Sequence, residues 1–341
     1  MTDATLPAAP VRSFGKRAGS TALYALVTAL MLVTPLLVFL PAALLHCGIR
    51  NGRRAAWILL PLGTALALLL VVPGAMAPAT TAAQAYGSYA FLLGLVLGVG
   101  VPALVVMPMV ERGERFGRVL AIALLVGLAG MLATEVIMRA AASFSPMAAH
   151  VAAARETAAQ FLEAYAKAGV PSDAIRFLRK WMNIGVFVLP AFLVIDVAIV
   201  FVLSLVMLVR LPAWKLYAQQ RALAAPAPYL FRNLALPEWV LFAFVLGGLS
   251  PLLSGMPQRI SANVLAVVAF LYLLQGLALF RAFLAATGAG FGGTLFAYGI
   301  LGLLTMTGIA PLLLSIAGLF DSFFDFRHFN RKDHSDESHS H

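Results

Sequence analysis

The chain has 341 residues, 62% hydrophobic and only 11% charged, with a mean hydropathy of +0.93. Soluble domains carry roughly 25% charged residues, and a fold in water cannot bury this much apolar surface, so hydrocarbon must be the solvent. The net charge of +10 would suggest nucleic acid in a soluble protein, but here Lys and Arg fall in short connections between apolar runs. That is the pattern of topology signals and anionic-lipid contact, and nucleic acid is not an expected partner.

Residues 1–17 form a basic tail with Arg12, Lys16 and Arg17. The apolar stretch after it far exceeds the roughly 7–15 residues of a signal-peptide core, so it reads as a retained membrane segment. Eight apolar stretches follow in order, at about 20–47, 55–72, 88–110, 119–143, 184–209, 237–253, 262–284 and 291–320. A span needs about 20 apolar residues, so six of them fit one helix each. The first and last are longer and contain proline, Pro35 and Pro41 in one and Pro311 in the other. The single cysteine, Cys47, excludes an internal disulfide.

Loop charge sets the topology. Arg50, Arg53 and Arg54 follow the first stretch, Arg112, Arg115 and Arg118 the third, and Arg210, Lys215, Arg221 and Arg232 the fifth. These three connections alternate correctly for the cytoplasmic side. One span per stretch would then leave both basic termini outside. The conflict disappears if the first and last stretches are short helical hairpins, turning near Thr34–Pro35 and near Ile309–Pro311, where proline removes a donor. Two long tilted helices with external tails are the alternative.

Residues 146–183 interrupt the pattern and are expected outside the membrane. Val151, Ala154, Ala158, Phe161, Leu162 and Tyr165 recur at helical spacing, with Arg155, Glu156, Glu163 and Lys167 around them. Gly169 and Pro171 end this amphipathic helix, and Ser172–Asp173 can cap a second one running to Trp181. The insert suits the membrane surface or, less well, a lid. Arg176, Arg179 and Lys180 there run against the charge rule. The connection 210–236, rich in aromatic and basic residues, suits interfacial anchoring or, as the sharper alternative, partner docking. Residues 328–341 are polar and expected to be disordered. The tail histidines His334, His339 and His341 are too irregular for a metal site.

Intramembrane polar residues are the candidates for function. Asp196 lies mid-span in the fifth stretch and needs a partner, a cavity or a proton. Glu135 and Arg139 are spaced i, i+4 and can neutralise each other. Asn263, Tyr272 and Gln275 share the seventh stretch, where helix packing is the commoner use of such residues and ligand binding the sharper one. Gly288, Gly290 and Gly293 spell a GxGxxG pattern, but between two membrane helices and without the strand a nucleotide site requires. No nucleophile elbow, P-loop or zinc motif is present, so neither enzymatic chemistry nor a cofactor is expected.

Phe231, Leu236-Pro237, Asn263, Gln275-Gly276 and the ending Gly318-Leu-Phe-Asp321-Ser-Phe-Phe324-Asp325-Phe326-Arg327 resemble the YybS-like family of bacterial multi-spanning membrane proteins, a domain of unknown function. The family is distantly similar to the substrate-binding membrane subunits of energy-coupling factor transporters. That likeness implies a small-molecule ligand, a membrane partner subunit and a docking face of small residues, here Ala18, Ala22, Ala25 and Ala29. The residues themselves give the ending a simpler role, an aromatic boundary anchor in which Arg327 pairs with Asp321, Asp325 or lipid phosphate; partner contact is the alternative.

The expectation is an all-α polytopic helical bundle over residues 18–327, in the bacterial cytoplasmic membrane with both termini inside. Asp196, Asn263, Tyr272 and Gln275 are its ligand-binding candidates. Glu135, Arg139, Pro237, Asp321, Asp325 and Arg327 are its structural or partner-contact candidates. A transporter or transporter substrate-binding component is the leading function. A non-catalytic scaffold of envelope or cell-shape processes is the alternative.

Overall fold

The computed structural model describes residues 14–75, 81–221, 223, 227–324 and 326, with the side chains at 14–20, 73–75 and 83 excepted. The tails, Arg12, Asp325 and Arg327 therefore lie outside the described residues, as do the side chains of Lys16, Arg17 and Ala18. All regular structure among the described residues is helical. Five helical segments are long and apolar enough to cross a membrane: Arg53–Val72, Gln84–Glu111, Phe116–Ala142, Leu189–Leu208 and Gly255–Ala286.

The first stretch breaks as expected. Helix α1 (Phe14–Val33) stops at Thr34, whose hydroxyl donates to the Leu30 carbonyl at 2.7 Å and accepts from the Leu36 amide at 3.3 Å. Pro35, lacking an N–H, opens a 3-10 turn (Pro35–Phe39) that leads into α2 (Leu40–Asn51). The chain then folds back, and the Tyr24 hydroxyl lies 2.8 Å from His46 Nδ1. This packing spends the Ala25–Ala29 half of the implied docking face, while Ala22 stays exposed. Ala25 and Ala29 are each 1% exposed, in contact with the core on the face where Gly63 of α3 (Arg53–Ala75) meets Thr28.

Helices α4 (Ala82–Leu95) and α5 (Val101–Glu111) form one span around a π-helical turn, Val96–Gly100. Pro102 leaves that turn one backbone donor short, which favours the wider ring. Against it lies α6 (Phe116–Ala142). A Cβ at Gly130 would sit 2.1 Å from the Leu97 carbonyl, and one at Gly127 2.8 Å from that of Gly98, so only glycine permits this approach. Outside the span, α7 (Pro146–Lys167) and α8 (Ser172–Phe187) form a hairpin about Gly169, φ 77°.

Helix α9 (Leu189–Leu208) returns through the bundle to α10 (Pro212–Gln220). The sixth stretch differs from expectation, because its helix, α11 (Val240–Gly248), is only nine residues long. Gly247, Gly248 and Pro251 end it, and a 3-10 turn (Ser250–Leu252) hands the chain to α12 (Gly255–Ala286). The last stretch is α13 (Phe291–Met306) and α14 (Ile309–Phe324), bent by 110°. The break falls at Gly308, φ 75°, one residue before the expected turn at 309–311 and three before Pro311. Pro311 sits in the first turn of α14, where its missing donor costs nothing.

The three basic connections meet at one end. Arg53 forms an ion pair with Glu111, and the Tyr217 hydroxyl donates to the Glu111 carbonyl at 3.3 Å. The α7–α8 hairpin occupies the other end.

Candidate functional site

The polar candidates divide by whether the bundle consumes them. Gln275 of α12 is 1% exposed. Its amide oxygen accepts from the Leu236 amide at 2.9 Å, and its nitrogen donates to Asp321 at 3.1 Å and Ser322 at 3.2 Å. Tyr272, one turn earlier and 2% exposed, also bonds Ser322. This junction exists because two glycines admit α14. A Cβ at Gly276 would lie 1.9 Å from the Leu314 carbonyl, and one at Gly318 2.0 Å from that of Tyr272. Gln275, Tyr272 and Asp321 are thus brought together, closed over by Leu236. Pro237 stands beside them, its carbonyl accepting from Val240 at 3.0 Å.

Asn263 works at the opposite end of α12. Its oxygen accepts from the Ala191 amide at 2.8 Å, and its nitrogen reaches the carbonyls of Phe187 at 3.3 Å and Arg259 at 2.8 Å. It thereby satisfies backbone groups freed where α8 breaks into α9. Glu135 pairs with Arg139 at 2.6 Å. It also accepts from Ser145 and, at 3.0 Å, from the Met147 amide, placing a carboxylate on the N-terminus of α7.

Asp196 is different. It is exposed, with no hydrogen bond or ion pair among the described residues. Phe192, Asp196, Ile199 and Leu203 form one outward stripe on α9, the three apolar members 47%, 36% and 45% exposed. Asp196 and Gln275 do not share a cavity. One is on the outside of the bundle and the other is sealed within it. Among the described residues no group of His, Cys, Asp and Glu could hold a metal.

Within the connection 210–236, the aromatic residues Trp214 and Tyr229 pack inward, contrary to an interfacial anchor. Trp214, Tyr229 and Leu234 are each 0% exposed. The Tyr229 ring meets Phe116 edge-on at 5.7 Å and Trp214 at 5.7 Å, and a Cβ at Gly117 would strike the Ala235 carbonyl at 1.9 Å. Burial, then the Glu114 charge, pushes the Tyr229 phenol far above its ordinary range. Tyr217 is also raised, by burial and then by Glu111. This plug, together with Ser145 and Ser322, escaped sequence reading. Its one visible signal was the density of aromatic residues in a charged loop.

Long apolar helices, lipid-ready outer surfaces and polar side chains such as Gln275 and Asn263 that bond to the bundle's own backbone define a polytopic all-α integral membrane protein. More narrowly, the chain belongs to a family of predicted membrane proteins of unknown function, DUF2232, whose sequence model matches residues 21–322. No curated protein and no solved structure matches the chain.

Proposed function

We propose that the protein is a non-catalytic, partner-binding subunit of the bacterial inner membrane, with its basic end and both tails in the cytoplasm. Asp196 carries this reading. Placing a carboxylate at mid-helix in lipid costs about 2.5–3.5 kcal/mol on insertion scales. Asp196 lies about 10 Å into α9, among three apolar residues that face outward. A transmembrane helix with a basic or other hydrogen-bond-donating side chain at that depth would offset the cost and cover the stripe. The charge of the three basic connections supports the sidedness.

Transport of a small molecule, implied by the likeness to energy-coupling factor subunits, asks for a polar cavity shared by Asp196 and Gln275. Their separation supports partner binding more strongly. The test places a photo-cross-linking residue at Ile199 and compares wild type with Asp196→Leu in cells. Cross-linking to a membrane helix bearing a donor is expected, lost in Asp196→Leu and retained in Asp196→Glu, while the variant chain is at least as heat-stable as wild type. Cross-links to lipid alone in the wild type would defeat the reading.

A further inference from the structure

We infer that the basic face of α8 is a binding site for the phosphate headgroup of an anionic phospholipid. This site is independent of the α9 stripe. Arg176, Arg179, Lys180, Asn183 and Phe187 recur along one side of α8. With Ile184 they line an open groove of about 510 Å³. A second element adds charge at its inner end, where the Arg259 guanidinium of α12 lies 5.8 Å over the Phe187 ring. Arg259 is held there by α12, whose Asn263 bonds both the Arg259 and Phe187 carbonyls.

Nearby acids leave this charge largely uncompensated. Asp173 pairs with Arg176. Glu163 pairs with Lys167 at 2.6 Å, and Glu156 accepts from Gln160. Arg179 and Lys180 have no acidic partner among the described residues.

The occupant follows from what flanks the cations. Phe177, Trp181 and Ile184, 61%, 57% and 42% exposed, make an apolar stripe directly beside the basic one. On α7, Phe161 and Tyr165 are 53% and 43% exposed. Neither helix of the hairpin has a buried residue. An amphipathic helix with aromatic residues on one side and cations on the next lies at the headgroup boundary, rings toward acyl chains and charges toward phosphate. The connectivity enforces that depth, because α8 passes at Val188 directly into the span α9. Ile184 and Phe187 supply the apolar wall of the groove on the side where α8 enters the span. A free phosphate would use the cations and leave that wall uncovered, whereas a phospholipid uses both.

The test purifies the full chain in mixed micelles of equal phosphatidylglycerol and phosphatidylcholine and counts retained lipids by native mass spectrometry. Wild type is expected to retain phosphatidylglycerol selectively. Arg179→Gln/Lys180→Gln is expected to lose that selectivity by about tenfold or more, as removal of two surface cations implies, with unchanged helicity and melting temperature. Both side chains are exposed, so folding is not at risk. Trp181→Ser, which keeps every cation, should weaken retention of both lipids. Equal selectivity in wild type and the double variant would overturn the site. Displacement of the lipid by added inorganic phosphate would assign the groove to a free anion instead. So would a copurifying protein, in place of lipid, that the double variant loses assign it to a protein partner, and either result overturns the lipid reading.

Discussion

The α12–α14 contact and the α7–α8 hairpin are both pairs of packed helices, built on opposite principles. The first brings backbones together through Gly276 and Gly318 and ties the seam with Gln275, Tyr272, Asp321 and Ser322. The second has no buried residue and keeps its cations and aromatic rings outward. Polar groups inside the bundle are committed to holding it together. The hairpin cations and Asp196 are among those free to meet something else. The places to look for function are therefore the outer surfaces.

Glycine substitution tests this contrast most severely. Alanine at Gly276 would put a Cβ 1.9 Å from the Leu314 carbonyl, a backbone atom that can move only with α14. A loss of about 3 kcal/mol is expected. Gly185 of α8 has nothing within 4 Å of its Cβ position, so Gly185→Ala should gain about 0.5–1 kcal/mol from helix propensity. Unfolding in mixed detergent, followed by circular dichroism, measures both. Equal effects would mean that the two regions do not differ as described.

Gln275→Leu ranks next. It keeps the volume of the side chain but strands the Leu236 amide and removes a bond to Asp321, at a cost of about 2 kcal/mol. The loss should be local first, so limited proteolysis within residues 227–236 should accelerate before the bundle melts. Unchanged cleavage would show that the seam is held by the glycine contact alone.

The parts legible in the sequence were the local ones. Helical spacing revealed the hairpin, proline beside threonine revealed the break at Thr34, and the i, i+4 spacing of Glu135 and Arg139 revealed their ion pair. Gln275 and Leu236 are 39 residues apart and Asn263 and Ala191 72. Such pairings depend on which helices become neighbours, and no local periodicity encodes that. The break expected near Ile309–Pro311 is there, but Pro311 is not its cause, because in a first helical turn proline breaks nothing; Gly308, beside the expected turn, does the turning. The 210–236 connection misled because tryptophan and tyrosine beside arginine read equally as boundary anchors and as a buried plug. Only its packing against Phe116 and Gly117 distinguishes the two.

That plug yields the smallest effect and a sharp sign. The Tyr229 hydroxyl is buried with no hydrogen-bond partner among the described residues, while its ring keeps Phe116 and Trp214 in contact. Tyr229→Phe removes the uncompensated hydroxyl and retains the ring, so a gain of up to about 1 kcal/mol is expected. Burial raises the phenol's pKa in the folded chain. The neutral form is therefore favoured by folding, and its stability contribution is complete below the ordinary tyrosine pKa of about 10. Above that pH the unfolded chain releases a proton that the folded chain retains, and wild-type stability falls. The phenylalanine variant lacks this loss. Its advantage should be constant below pH about 10 and widen above it, as melting temperatures across that range would show. An advantage that stayed flat above that pH would mean that the hydroxyl reaches water and titrates alike in the folded and unfolded chain, and that this connection is open at the surface like the hairpin at the other end.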